Sequence, residues 1–372
     1  ALVISLVIWS GMHQPFMISL GGFAPPLGIV FYVDHVAIGF SVLVLLMCLL
    51  LWPYQGQRSA REYSLNLLLA SSGCGMALSG DLFNIYVFYE LVSVASFGLA
   101  AAAGTAAAYA ASIRYLIISG FGTVLALTGI ALIYTQTGTL NLADLAQVAA
   151  TELSNTTGII AFILILLGIG VKAELFPVNT WVPEVYATAG KRVSALLAGV
   201  VSKLAVLVLV RIMLLMFQVE QVLLIMLLFG LLGVIAGELA AWRARDMSRM
   251  LAYSSIGQLG MVFIAFSIPG SAGLYAGLAL SLHHLLVKPA LFLLAERWNY
   301  SLQGLAGAAR SAPLAALLFV LFALSLIGVP PLPGFWAKLL LVSGLIGQDA
   351  AVYALALIVV LLATVLEANY LM

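Results

Sequence analysis

The sequence predicts an all-α, polytopic membrane helix bundle, and three observations predict it. Apolar runs of about 20 residues recur from one end to the other, each long enough to cross the ~30 Å hydrocarbon core as a helix. The 372 residues are 64% hydrophobic and only 8% charged, a balance that no soluble domain tolerates. The runs lack period-two alternation and are too long for barrel strands, so of the two architectures that satisfy backbone groups in lipid, the bundle fits.

Twelve hydrophobic elements follow in order. The first covers 1–13. It begins at Ala1 inside an apolar run, and a longer protein is expected to continue from that end. No signal peptide with a cleavage site is visible. A neutral Gly/Pro stretch, with GGFAPPLG at 21–28, leads to the second element at 31–53. The third is 63–80, the fourth 81–103 and the fifth 107–136. A polar connector with Asp144 and Glu152 comes next. The sixth, about 157–189, contains GIGVKAELFPVNTWVPEVYA at 168–187, where Pro177 and Pro183 break the helix beside Lys172 and Glu174. The seventh is 193–216, the eighth 221–241, the ninth 248–267 and the tenth 272–296. The eleventh, 312–346, is interrupted by PPLPG at 330–334, and the twelfth is 350–372. Small-residue patches such as LAAAAGTAAAYAA read as helix-packing surface, and Trp and Tyr near run ends as interface anchors.

Counting loops alternately across the bilayer separates the charges. One side receives Arg58, Arg61, Lys191, Arg192, Arg243, Arg245, Arg249, Arg297 and Arg310. The other receives Asp144, Glu152, Glu220 and Asp349, with no Lys or Arg. The positive-inside rule makes the first side cytoplasmic, in an inner (plasma) membrane. The two broken elements run in opposite directions with five elements from one to the next. Inverted repeats over about 63–216 and 221–372, within a single domain of 1–372, are the expected reading. Such repeats with broken helices mark a midplane pathway.

Charge type carries the chemistry. Four of the five lysines (Lys172, Lys203, Lys288 and Lys338) fall inside apolar runs, whereas eight of the ten arginines fall in the basic loops. Desolvated lysine can release its proton near neutral pH; arginine cannot. The pattern therefore favours proton transfer over fixed-charge anion binding. Glu90, within DLFNIYVFYELVSVASFGLA, needs a cationic partner or a proton, and Lys172 is the expected partner. His284 and Lys288 are four apart on one helix face, next to His283, with Pro289 loosening the backbone after Lys288. Any one of these groups reads equally well as structural. All of them together point to a relay. Glu174 is expected to line the broken-helix turn, Arg211 to snorkel outward, and Asp34 to lie at the interface. Cys48 and Cys74 sit in separate runs without metal spacing, so no metal is expected.

At these residues the sequence resembles the antiporter-like, proton-conducting membrane subunits shared by respiratory complex I, Mrp-type cation/proton antiporters and membrane-bound hydrogenases. The matching segments are SGDLFNIYVFYELVSV (79–94), GVKAELFPVNTWVPEVY (170–186), VSALLAGVVSKLAVLVLVRI (193–212), DMSRMLAYSSIGQLGMV (246–262), HHLLVKPALFLLAE (283–296) and GVPPLPGFWAKLLLV (328–342). GGFAPPLGIVFYVD (21–34) and the DLFNIYVFYE segment are most similar to the D-type Mrp subunit, with the N-type complex I subunit close behind. The resemblance implies about fourteen helices in two inverted five-helix repeats, with one helix lying beyond each end of this chain. It implies that Glu90 is the membrane glutamate paired with Lys172, and Lys203 the next lysine. His283, His284 and Lys288 would be the central connecting residues, and Lys338 the terminal one. Three positions depart from the family pattern: Asn179 stands where His is frequent, AGKRVSA (189–195) replaces the usual turn, and Glu174 is an added acid.

The sequence is thus read as a proton-translocating subunit of a multisubunit membrane complex, foremost the D-type member of an Mrp-type antiporter. The alternative is a pumping N/M-like arm subunit of NADH-quinone oxidoreductase or of a membrane-bound hydrogenase. Its partners would be antiporter-like membrane subunits, with protons and an Na⁺ or K⁺ ion as cargo. No nucleotide loop or cofactor motif is present, so no cofactor is expected and redox steps fall to partners. A redox subunit binding haem or quinone is one rival; its haem half fails to find paired axial ligands, since the deep histidines are adjacent and face apart. A standalone small-molecule carrier and a scaffold with a vestigial polar line are the remaining rivals.

Overall fold

The computed structural model describes residues 1–23, 28–54, 59–217, 219–301, 303–305 and 307–372. Arg58 of the basic set, and 24–27 within GGFAPPLG, lie outside the described residues. Among the described residues, seven helices are long and apolar enough to cross a membrane, and five shorter apolar helices accompany them.

Two compact units divide the chain. The first comprises 1–173 and 200–222. It begins with α1 (Leu2–Gly11), then a hairpin of β1 (Phe16–Ser19) and β2 (Val30–Val33), antiparallel with Phe16 opposite Val33. The hairpin departs from the all-helical expectation, because Val30–Val33 opens the second apolar element as a strand. Its aromatic and β-branched residues suit the pleat, and Asp34 then caps α2 (His35–Leu50) by accepting from the Ala37 amide at 2.6 Å. Then come α3 (Ala60–Leu78), α4 (Leu82–Ala101) and α5 (Ala106–Thr137), capped by Ser59, Asp81 and Thr105 respectively. Residues 79–82 are stitched on both sides: the Gly80 amide donates to the Val30 carbonyl, and the Leu82 amide to that of Leu140.

The expected polar connector is itself helical. α6 (Leu142–Glu152) is capped by Asn141 and buries Leu142, Leu145 and Ala149 while Asp144 and Glu152 face outward. That is an amphipathic pattern too short to register as an apolar run. α7 (Thr156–Gly170) packs on α5 where Gly122 meets Gly168; a Cβ on Gly122 would lie 2.9 Å from the Gly168 carbonyl oxygen. The sixth element then breaks, with turns rather than helix over 171–181.

The second unit comprises 174–199 and 223–372. After the break come α8 (Val182–Thr188), with Pro183 in its first turn, and α9 (Lys191–Leu196). A π-helical turn at Leu197–Val201 precedes α10 (Ser202–Met216), which lies wholly in the first unit. α11 (Glu220–Trp242), α12 (Met247–Ser267) and α13 (Gly270–Ala295) follow, then the short α14 (Ala308–Ser311). α15 (Pro313–Ile327) stops at Gly328, whose φ of +94° suits a residue without Cβ. α16 (Pro333–Ile346) resumes the eleventh element with proline in its first turn, and α17 (Ala351–Leu371) ends the chain described. Both expected breaks are present, each where proline removes helix donors.

Candidate functional site

In the first unit α4, α5, α7 and α10 position the polar groups. The Glu90 Oε1 accepts from the Thr123 hydroxyl at 2.6 Å. The Lys172 Nζ donates to the Ser119 hydroxyl at 3.0 Å and lies 3.5 Å from the centre of the Tyr89 ring. Tyr89 is fixed in turn by donating to the Gly168 carbonyl at 2.9 Å. No ion pair within 4 Å joins Glu90 to Lys172 among the described residues. The expected partners are instead held by two hydroxyls of α5, four residues apart and therefore on one face. An ammonium over the face of a tyrosine gains cation–π attraction without a fixed counter-ion.

Lys203 lies just past the π-helical turn, buried, with its Nζ donating to the Ser202 hydroxyl at 3.0 Å. A π turn widens the helix locally and recurs at functional positions. Lys172 and Lys203 are each 1% exposed and Lys288 0%, which excludes snorkelling to an interface. Arg211, expected to snorkel outward, does not. Its guanidinium donates to the Ala77 carbonyl at 2.9 Å and pairs with Asp34 at 3.3 Å. The correction has a simple cause: Asp34, 177 positions away, lies within reach only once α2 and α10 are in place.

In the second unit α12 and α13 form a matched ladder. His284 Nε2 lies 3.1 Å from the Ser255 hydroxyl, and the Lys288 Nζ donates to the Leu251 carbonyl at 3.2 Å. Both pairs of positions are four apart, so two antiparallel faces meet. His283 points the other way, its Nε2 2.9 Å from the Ser325 hydroxyl of α15. Lys338 on α16 donates to the Ile327 carbonyl at 3.1 Å, an acceptor freed by the break, and forms an ion pair with Glu367 of α17. Glu174 lines the turn as expected. Its φ is +56°, and its carboxylate accepts from the Tyr186 hydroxyl at 2.6 Å.

The structure adds two buried acids that sequence reasoning missed, Glu238 and Glu367. Each lies within two turns of the end of an apolar run, where an acid reads as a run end. The available signal was that each stands alone among apolar neighbours. Glu90, Lys172 and Lys203 are thus gathered in one unit, and His283, His284, Lys288 and Lys338 in the other.

The family profile described as NADH:quinone oxidoreductase/Mrp antiporter, transmembrane, matches residues 79–366. Over 363 residues the chain is 35% identical to the N-type subunit of NADH-quinone oxidoreductase from Desulforudis audaxviator, covering 93% of this chain and 72% of that protein. It is 32% identical over 363 residues to the D-type subunit of the Na⁺/H⁺ antiporter from Alkalihalophilus pseudofirmus, covering 93% and 73%. Among solved structures, a chain of the membrane-bound sulfane sulfur reductase, an archaeal respiratory membrane complex, superposes with a TM-score of 0.91 at 31% identity. That match covers 99% of this chain and 78% of the other. Profile, sequence and superposition agree with the segments that hold the buried lysines, and the chain belongs to the NADH:quinone oxidoreductase/Mrp antiporter transmembrane family.

Proposed function

We propose that this chain translocates protons as one subunit of a multisubunit membrane complex. One observation carries the reading: the Lys172 ammonium is enclosed by a hydroxyl and an aromatic face rather than clamped by a carboxylate. Such a lysine can give up its proton and take it back, with Ser119 on Lys172 and Thr123, one turn along α5, on Glu90. The relay would run from Glu90 and Lys172 to Lys203, then to His284 and Lys288 with His283 beside them, and end at Lys338. Unit charges ~8–10 Å apart interact by ~1–2 kcal/mol at an effective dielectric near 20, enough to bias a proton without trapping it. The breaks at 171–181 and 328–332 would stand at equivalent places of two inverted five-helix repeats, with the basic loops cytoplasmic in the plasma membrane.

The host we favour is an Mrp-type cation/proton antiporter, this chain taking the D-type place and an alkali cation being exchanged for protons. The second reading, an N-like arm subunit of a redox-driven pump, draws on the 35% identity to the N-type oxidoreductase relative. Purification from the native membrane in mild detergent separates the two. Antiporter subunits alone as companions support the first, and iron–sulfur subunits the second. The same preparation, reconstituted in liposomes, tests the function: Lys172→Ala should abolish proton movement, and wild-type transport by that variant would overturn the reading.

A further inference from the structure

Two buried carboxylates of the second unit have no place in the relay above. Glu367 on α17 sits between two donors, its Oε2 taking the Lys338 ammonium and its Oε1 the Gln258 amide. Glu238 on α11 accepts at Oε2 from the Tyr370 hydroxyl at 2.9 Å, and the same hydroxyl lies 2.8 Å from the Ser254 oxygen. Glu367 and Tyr370 are three apart on α17, while Ser254 and Gln258 are four apart on α12. The two helices therefore meet in two polar rungs, one turn apart.

Glycine makes the room. A Cβ on Gly257 would collide with the Glu238 carboxylate, and a Cβ on Gly237 would lie 2.9 Å from the Gly257 Cα. The Glu238 Oε1 is buried and makes no hydrogen bond among the described residues. A carboxylate with one bare buried oxygen is costly to keep charged, and a proton on it relieves that cost. The groups bearing on it from the packed elements are Glu367 and Tyr370 of α17, Lys338 of α16 and Lys288 of α13.

We propose that Glu238 is a proton-binding residue, reached from Lys338 through Glu367 and Tyr370. The inference rests on the proton-transport reading and adds a branch to it. The steps balance with one proton. The Lys338 ammonium gives it to the Glu367 carboxylate, leaving a neutral amine and a carboxylic acid. Glu367 then turns its acid hydrogen toward the Tyr370 oxygen, three residues along α17, and passes the proton as that hydroxyl gives its own hydrogen to Glu238, so Tyr370 ends unchanged. Ser254 holds Tyr370 in line: a hydroxyl with one hydrogen and two oxygen partners donates to one and accepts from the other. Glu238 stands four residues, about 6 Å of rise, before the α11 end at Trp242. The branch therefore opens toward Arg243 and Arg245, not along the lysine line.

The test uses the complete complex in liposomes, comparing Glu238→Gln, Glu238→Asp, Tyr370→Phe and Lys172→Ala. Proton flux is read beside the infrared difference spectrum of protonated carboxyl groups between acid and alkaline pH. Glu238→Gln should lower flux about tenfold or more and remove one carboxyl band. Glu238→Asp should restore part of the flux, and Tyr370→Phe should lower flux while keeping the band. Wild-type flux and an unaltered spectrum in Glu238→Gln would overturn the branch. If Lys172→Ala is inactive while Glu238→Gln is unaffected, the branch alone fails; an active Lys172→Ala removes the transport reading itself. Should Glu238→Gln not assemble, wild-type flux in Tyr370→Phe decides against the proposal.

Discussion

Glu90 and Lys172 do not touch; each engages a different hydroxyl of α5, and those hydroxyls belong to residues one helical turn apart. The acid and the base each contact a group that can both donate and accept. In a direct ion pair, such as Lys338 with Glu367, the lysine can pass its proton only to its own acid. A lysine and an acid that each rest on a hydroxyl leave the proton free to move when the neighbouring charge changes.

Thr123→Val should test the acid end. It keeps the shape and removes the donor to Glu90, and hydrogen bonds to charged groups are worth about 1.5–3 kcal/mol. Proton flux should fall roughly tenfold, and Thr123→Ser should recover most of it. Equal flux in Thr123→Val and wild type would show that the hydroxyl is passive.

Lys172→Arg separates charge from proton transfer. Arginine keeps the cation over Tyr89 but holds its proton under all ordinary conditions. Flux in liposomes should be as low as in Lys172→Ala, with assembly of the complex better preserved, as read by co-purification of its companions. An active Lys172→Arg would point to a fixed-charge role.

Asp81 makes a pH prediction at the edge of the membrane region. It caps α4 by accepting from the Asn84 amide at 2.9 Å. Burial pushes its carboxyl above the ordinary aspartate range, with the amides of Asn84 and Phe83 pulling the other way. The folded state then holds the proton more tightly than the unfolded one. Its contribution to stability is present at low pH and is lost as pH rises through a window that opens near the ordinary value, about 4. Asp81→Asn keeps the cap and removes this titration. Thermal midpoints in detergent should lose that downward slope and rise at neutral pH; an unchanged profile would refute it.

Arg211→Met should destabilise the first unit through Asp34. It leaves a part-buried carboxylate and the Ala77 carbonyl without their donor, a loss of about 1–3 kcal/mol. The double variant Arg211→Met with Asp34→Asn should recover part of it, since Asn still caps α2. Thermal midpoints of the single and double variants in detergent check this; additive losses would show that the two residues act independently.

Much of this architecture was legible from residue order. The apolar runs foretold the membrane helices closely, 107–136 against Ala106–Thr137 and 248–267 against Met247–Ser267. Pro177 and the PPLPG segment placed both breaks, because a missing N–H and a ring clash act locally. The β-hairpin and α6 escaped notice: one is short and flanks a neutral Gly/Pro stretch, and the other carries its apolar residues on a single face.

Lysines at buried positions were legible because their cost in lipid is large wherever the helix ends up. Their partners were not. Ser119 rather than Glu90 beside Lys172, Asp34 rather than water on Arg211, and Glu367 on Lys338 are separated by 53, 177 and 29 residues. The sequence by itself determined that this chain fills a membrane with helices, breaks two of the elements and buries four lysines, since those follow from local hydropathy and backbone chemistry. Only the tertiary structure decided which oxygen each buried cation meets, and brought Glu238 and Glu367 into one polar cluster, because helix rotation and crossing set those distances and no local pattern encodes them.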